Sequence, residues 1–205
     1  MHNFRLFVAT LFSLFIFACG NSTQKKINSN IPVADTAKFY PIDQFIQEQI
    51  RYVDLRNFII TKTNTNKTSS NNAGANKTDS SKLVISKEAF ISEASIILNE
   101  AIAWSKQKHL YKETVFQDLS TASYTINYTA LDAATPIQRV DILLSEETNI
   151  LKRLFIRKNE QIKDTVITHQ YSWVADQSFQ ISSSAVAPNY NKTTANFVNW
   201  AKQEN

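Results

Sequence analysis

The chain has 205 residues, 43% of them hydrophobic, with a formal net charge of +4, one Cys, three His and two Gly. A single Cys excludes an intrachain disulfide and a thiolate zinc centre, and two glycines leave almost nothing from which to build a Gly-rich phosphate loop. The basic residues are scattered, the densest run being Lys152, Arg153, Arg157 and Lys158, so the concentrated basic footprint of a nucleic-acid binder is missing and no nucleic-acid partner is expected.

Residues 1–5 are short and polar with one Arg, and residues 6–18 form an apolar run broken only by Thr10 and Ser13. That run falls short of the about 20 residues that a membrane span needs. It has the length of the apolar region of a secretory signal peptide. It ends in Ile16-Phe17-Ala18-Cys19-Gly20, which resembles the lipobox of bacterial lipoproteins: an aliphatic residue three before the Cys, a small residue just before it and Gly after it. Phe17 stands where that pattern has a smaller residue. The resemblance implies cleavage of a signal peptide spanning residues 1–18, a diacylglyceryl group on the Cys19 thiol, palmitate-type acylation of the new amine, and attachment to a membrane of the cell envelope through these chains. Asn21 follows Gly20 where an Asp would signal inner-membrane retention, and the expected destination is the outer membrane. Residues 19–38 then read as the lipidated Cys and a polar, flexible tether, and residues 39–205 as one domain.

Within that domain, Tyr40-Pro41 opens a first amphipathic helix with Ile42, Phe45, Ile46, Ile50 and Val53 on one stripe, ending near Leu55. Residues 58–63 are β-branched and read as a strand, with Leu83, Val84 and Ile85 as the return strand. Between them, residues 64–81 are almost entirely Asn, Thr, Ser, Lys and Ala, and the composition predicts a disordered insert in the hairpin. Ser86 is the N-cap of a second helix with Phe90, Ala94, Ile97, Leu98 and Ala101 on its apolar stripe, ending at residues 106–108. From Tyr111 the texture turns to alternating strands, carried by Tyr124, Ile126 and Tyr128, then Val140, Ile142 and Leu144, Leu154 and Ile156, Ile167, His169, Tyr171 and Trp173, Phe179 and Ile181, and finally Phe197, Val198 and Trp200. Turn-like breaks fall at residues 132–136, 145–149, 159–163, 175–178 and 188–192. The expected architecture is α+β: two amphipathic helices packed on a C-terminal antiparallel β-meander, with an early hairpin. This order resembles that of uncharacterised Bacteroidota lipoproteins on Tyr40-Pro41-Ile42, Tyr111-Lys112-Glu113-Thr114, residues 139–144 and residues 176–181, a likeness that implies no activity.

Chemistry-bearing residues are sparse. His109 stands among cations, and His169 lies mid-strand beside Ile167 and Tyr171, so no metal site is expected. No Gly-x-Ser-x-Gly elbow is present, the lipobox resemblance implies that Cys19 carries lipid and so takes no part in Cys-His catalysis, and Glu146-Glu147 reads as a solvated turn. No catalytic residue and no cofactor is assigned. A hydrolase reading would need His169 to converge with Asp118, Asp164 or Asp176 on a Ser. The aromatic strands suggest either a sealed core or a cavity for an apolar ligand lined by His169, Tyr171, Trp173 and Phe179. Asp35-Thr36-Ala37 and Asp164-Thr165-Val166 resemble the O-glycosylation sequons of the Bacteroidota, Thr36 being the accessible one. The sequence therefore points to a membrane-anchored envelope lipoprotein acting as a non-enzymatic binding or accessory module for an envelope protein. The alternative is a carrier of a lipid or other apolar ligand in a cavity of the curved sheet.

Overall fold

Pro41 opens the first helix because its missing N–H would have no partner there in any case. In the computed structural model, which describes residues 39–70 and 76–202, Pro41 is followed by α1, Ile42–Asp54. Helical spacing places Ile42, Ile46 and Val53 on one buried stripe, with Gln49 among them. The Ser86 hydroxyl accepts the N–H of Ala89 at 3.2 Å and caps α2, Lys87–Ser105. Phe90, Ala94, Ile97, Ala101 and Trp104 are its buried stripe, and the 3₁₀ turn Lys108–Leu110 follows it.

Two strands precede α2 in the chain: β1, Phe58–Ser70, and β2, Asn76–Val84. Seven follow it: β3 Tyr111–Asp118, β4 Ser123–Ala130, β5 Ile137–Ser145, β6 Leu151–Ile162, β7 Thr165–Val174, β8 Ser178–Ala187 and β9 Tyr190–Lys202. All nine join one sheet in the order β2-β1-β9-β8-β7-β6-β5-β4-β3, every neighbouring pair antiparallel. The class is α+β, but the sheet dominates it. The expected separate C-terminal meander is corrected by one contact: β1 pairs with β9 from Phe58 opposite Lys202 to Ser70 opposite Tyr190, so the early hairpin and the meander are one sheet.

The expected disorder of residues 64–81 is also corrected. Residues 61–68 pair on one side with β2 and on the other with β9, and residues 76–81 belong to β2; residues 71–75 lie outside the described residues. Composition misled because it measures burial, whereas here the backbone ladder and β-branched threonines at alternate positions (Thr61, Thr63, Thr65) support the strand. The Thr61 hydroxyl also donates to the Asn199 carboxamide oxygen at 2.5 Å. β2 is an edge strand, and its exposed Lys77, Asp79 and Lys82 blunt it against pairing with another chain.

A chain with two glycines must turn its hairpins with other residues. Ala122, Asn149, Lys163 and Asp176, at or beside hairpin turns, all take positive φ, between 45° and 58°. Asn and Asp tolerate this region through local hydrogen bonds, whereas Lys and Ala have no such compensation. Asp176 is pinned from outside: its N–H donates to Gln49 Oε1 at 2.8 Å, and its carboxylate accepts Gln49 Nε2 at 2.9 Å.

The core lies between the helices and one face of the sheet. Two aromatic groups fill it. In the first, Trp173 stacks on Phe179 at 4.9 Å, Phe90 meets Phe179 at 5.6 Å and Trp200 edge-on at 5.3 Å, and Phe45 meets the Trp173 edge at 6.5 Å. In the second, Phe39 lies 4.7 Å from Trp104 and 4.3 Å from Tyr128, which itself meets Trp104 at 5.0 Å. Edge and offset contacts of this kind add about 0.5–1.5 kcal/mol per pair beyond the area they bury.

Two outcomes test this description. In native-state hydrogen exchange, the amides of residues 61–68 are expected to be protected close to the level of the core strands, whereas a disordered insert would exchange at the rate of an unstructured peptide. Replacing Lys163 by Gly should raise the unfolding free energy by about 0.5–1 kcal/mol in a denaturant titration, because relief of the left-handed backbone outweighs the added freedom of the unfolded chain.

Candidate functional site

The aromatic residues proposed as cavity lining sit in the packed layer. Trp173, Phe179 and Tyr171 are 0%, 1% and 4% exposed, and the first two lie in the aromatic group that contacts α1 and α2. Two clefts of about 520 Å³ open elsewhere, and neither is lined by these three rings.

The first cleft lies where α2 meets β6. Glu100, Ala103 and Gln107 of α2 form one wall, and Lys158, Asn159, Glu160 and Gln161 of β6 form another, with Pro136 and Ile137 beside them. Helical spacing puts Glu93 and Glu100 two turns apart on one face of α2, and each reaches a lysine of the sheet. Lys62 of β1 donates to Glu93 at 2.5 Å, and Lys158 donates to Glu100 at 2.9 Å. Lys158 also meets Glu160, two residues along its own strand, at 2.9 Å. Tyr171 donates its hydroxyl proton to Glu100 at 3.4 Å.

His169 extends this chain. It is the register partner of Lys158 on β6 and of Ser183 on β8. Its Nδ1 is 2.7 Å from Ser183 Oγ, its Nε2 is 3.6 Å from a Glu160 carboxylate oxygen, and its ring stacks on Tyr171. A hydroxyl, an imidazole and a carboxylate thus stand in the order of a nucleophile relay. Each link is a side-chain contact between neighbouring strands, and Glu160 lies closer to Lys158 than to the imidazole. Of the Asp residues considered for His169, Asp176 is held by Gln49, the Asp118 carboxylate accepts the hydroxyls of Ser120 and Thr121, and Asp164 lies in the β6–β7 turn. Among the described residues no three His, Cys, Asp or Glu side chains gather as metal ligands.

Electrostatics follow the same geometry. Partial burial pulls the Lys158 ammonium down, but the carboxylates of Glu100 and Glu160 more than reverse this and hold it above the ordinary lysine range. The hydrogen bond from Lys158 holds Glu160 below the usual carboxylate range. Burial, joined by the negative charge of Glu100, pushes the Tyr171 hydroxyl up to about 12.

The second cleft lies at the β5–β6 turn. Lys152 and Arg153 line it together with Leu143, Ile150, Leu151 and Val174. Of the other sequence candidates, His109 is exposed in the 3₁₀ turn and Thr165 is half-buried at the start of β7. Cys19 and Thr36 lie outside the described residues. Sequence reading found His169 and Tyr171 but missed Glu100, Lys158, Glu160 and Ser183. The Glu93–Glu100 spacing was a signal for a polar face on α2, whereas the partners of that face depend on strand order. No family model, curated protein or solved structure matches the chain.

The depressed Glu160 carboxylate fixes the sign of a pH effect. Its stabilising contribution is present above the ordinary carboxylate value of about 4.3 and is lost as pH falls through the lower folded value. Thermal melts from pH 7 to pH 3 should therefore show an acid loss that is shallower for Glu160→Gln than for the wild type.

Proposed function

We propose that this chain is a lipoprotein held at a membrane of the cell envelope by acyl chains on Cys19, and that its folded domain is a non-enzymatic binding module. The anchor rests on Ile16-Phe17-Ala18-Cys19-Gly20 at the end of a short apolar run, with outer-membrane placement resting on the absence of Asp after Gly20. The observation that carries the binding-module reading is the burial of Trp173 and Phe179 at 0% and 1%. The rings that would line a carrier's cavity are packed at 4.9–5.6 Å against one another and against α2. Recognition is left to the clefts at the rim and to the outward face of the sheet, which suits a partner met at the surface. The reading assigns no catalytic residue, no metal and no cofactor.

The anchor is tested by growing a bacterial host that expresses the full chain with radioactive palmitate. The wild-type protein should be labelled and should float with the membrane fraction. Cys19→Ser should be unlabelled and retain its signal segment by intact mass, and label on that variant would overturn the reading.

A further inference from the structure

Alternate side chains of a strand face opposite ways. In β6, Leu154 and Ile156 are buried, while Arg153 and Arg157 are exposed and Phe155 between them is half-buried. Arg139 of β5 shares this outward face, and it is the direct register partner of Arg157. Like charges placed opposite each other destabilise a sheet, so the pair calls for an anion. Asp141 supplies one for Arg139, whose Nε donates to it at 2.7–2.8 Å, but Asp141 also accepts Asn127 Nδ2 at 2.6 Å. Among the described residues, Arg153 and Arg157 have no ion pair.

The residue type is informative. The chain holds 16 Lys and only 6 Arg, yet Arg139, Arg153 and Arg157 supply three of the exposed cations on these two strands, with Lys152 beside Arg153 as the fourth. A guanidinium grips phosphate through two parallel hydrogen bonds, where an ammonium offers only a point charge. The row continues through Thr129 to the exposed Lys112 of β3. At the other end of the strands the face runs into the second cleft, where Lys152 and Arg153 stand beside Leu143 and Ile150, the last 62% exposed. Of the acids in that turn, Glu146 accepts Gln117 of β3 at 2.6 Å, and Glu147 is exposed and not part of the cleft lining.

We infer that the outward face of β5 and β6 docks on an anionic phospholipid surface, with Arg139, Arg153 and Arg157 on lipid phosphates and Ile150 at the apolar boundary. The inference rests on the anchored-lipoprotein reading, since acyl chains supply one membrane signal and a basic patch supplies a second. It turns a tethered domain into one laid against its membrane.

The test uses full-length protein purified in detergent and reconstituted into phosphatidylcholine vesicles with or without phosphatidylglycerol. Flotation reports the anchor, and arginine modification by phenylglyoxal, read by peptide mass spectrometry, reports docking. Arg139, Arg153 and Arg157 should react about fivefold more slowly on the anionic vesicles, the equivalent of roughly 1 kcal/mol per arginine at such a surface. The exposed Arg51 of α1 should react alike on both, and high salt should erase the difference. Equal reactivity of all these arginines on the two vesicles, in a protein that floats with both, overturns the docking while leaving the anchor standing. Flotation with anionic vesicles alone overturns the anchor while supporting the docking. The variant Arg153→Glu/Arg157→Glu, altered only at exposed positions, should float with both vesicles and lose the protection of Arg139.

Discussion

Thirteen residues of β1 run opposite thirteen of β9, and this ladder decides where everything else in the domain can be. Without it the hairpin would be an isolated pair of strands, marginal in water. With it, β2 and β3 become opposite edges of one sheet, so the connection between them has to cross the whole inward face. That crossing is α2. Eight strand spacings make a flat sheet roughly 38 Å wide, while the 19 residues of α2 span about 28 Å; the residues flanking the helix and the natural coiling of the sheet make up the rest. A helix in that position is a strut, and Glu93 and Glu100 bind it to Lys62 and Lys158 on strands four places apart in the sheet.

The two faces of the sheet carry different chemistry for the same reason. Inward positions under the helices are aromatic and aliphatic, and they turn polar at the margin of α2, where Lys158, His169 and Ser183 line up across β6, β7 and β8. The cation there is fully paired: one ammonium lies between two carboxylates. On the outward face of β5 and β6, one of three guanidiniums, that of Arg139, is paired with a carboxylate. A solvated face is ordinary for an antiparallel sheet, but an unbalanced one that uses the scarcer of the chain's two basic residue types is a feature of recognition.

Local structure was legible in the amino-acid sequence wherever periodicity reports burial. Both helices, the Ser86 cap and the apolar faces of β4 to β8 follow from spacing, because the buried side of an element must be apolar whatever it packs against. Trp104 escaped that reading although it extends the Phe90–Ala101 stripe by one more turn. Residues 64–70 escaped because their strand is held by backbone pairing with β9, and a ladder leaves no mark in composition. The Glu100–Lys158–Glu160–His169 chain was hidden for a related reason: Lys158 and His169 become neighbours through strand register, and Glu100 joins them through the path of α2. Arg139 and Arg157 are legible as basic residues but become a pair only when β5 is set beside β6.

The β1–β9 ladder also orders events in time. The first strand of the domain to be made is completed by the last, so the hairpin stays unpaired on one side until the C-terminus is available. Strands β3 to β8 can assemble by successive local hairpins, but the seam between the ends of the chain closes at the cost of a long loop, which makes for slow folding. On the lipoprotein reading proposed above, the chain crosses a membrane before it works, and that delay would then be an advantage. On that reading, an N-terminal half that cannot finish folding without β9 would remain threadable until the whole polypeptide had passed, and the domain would close only on the far side.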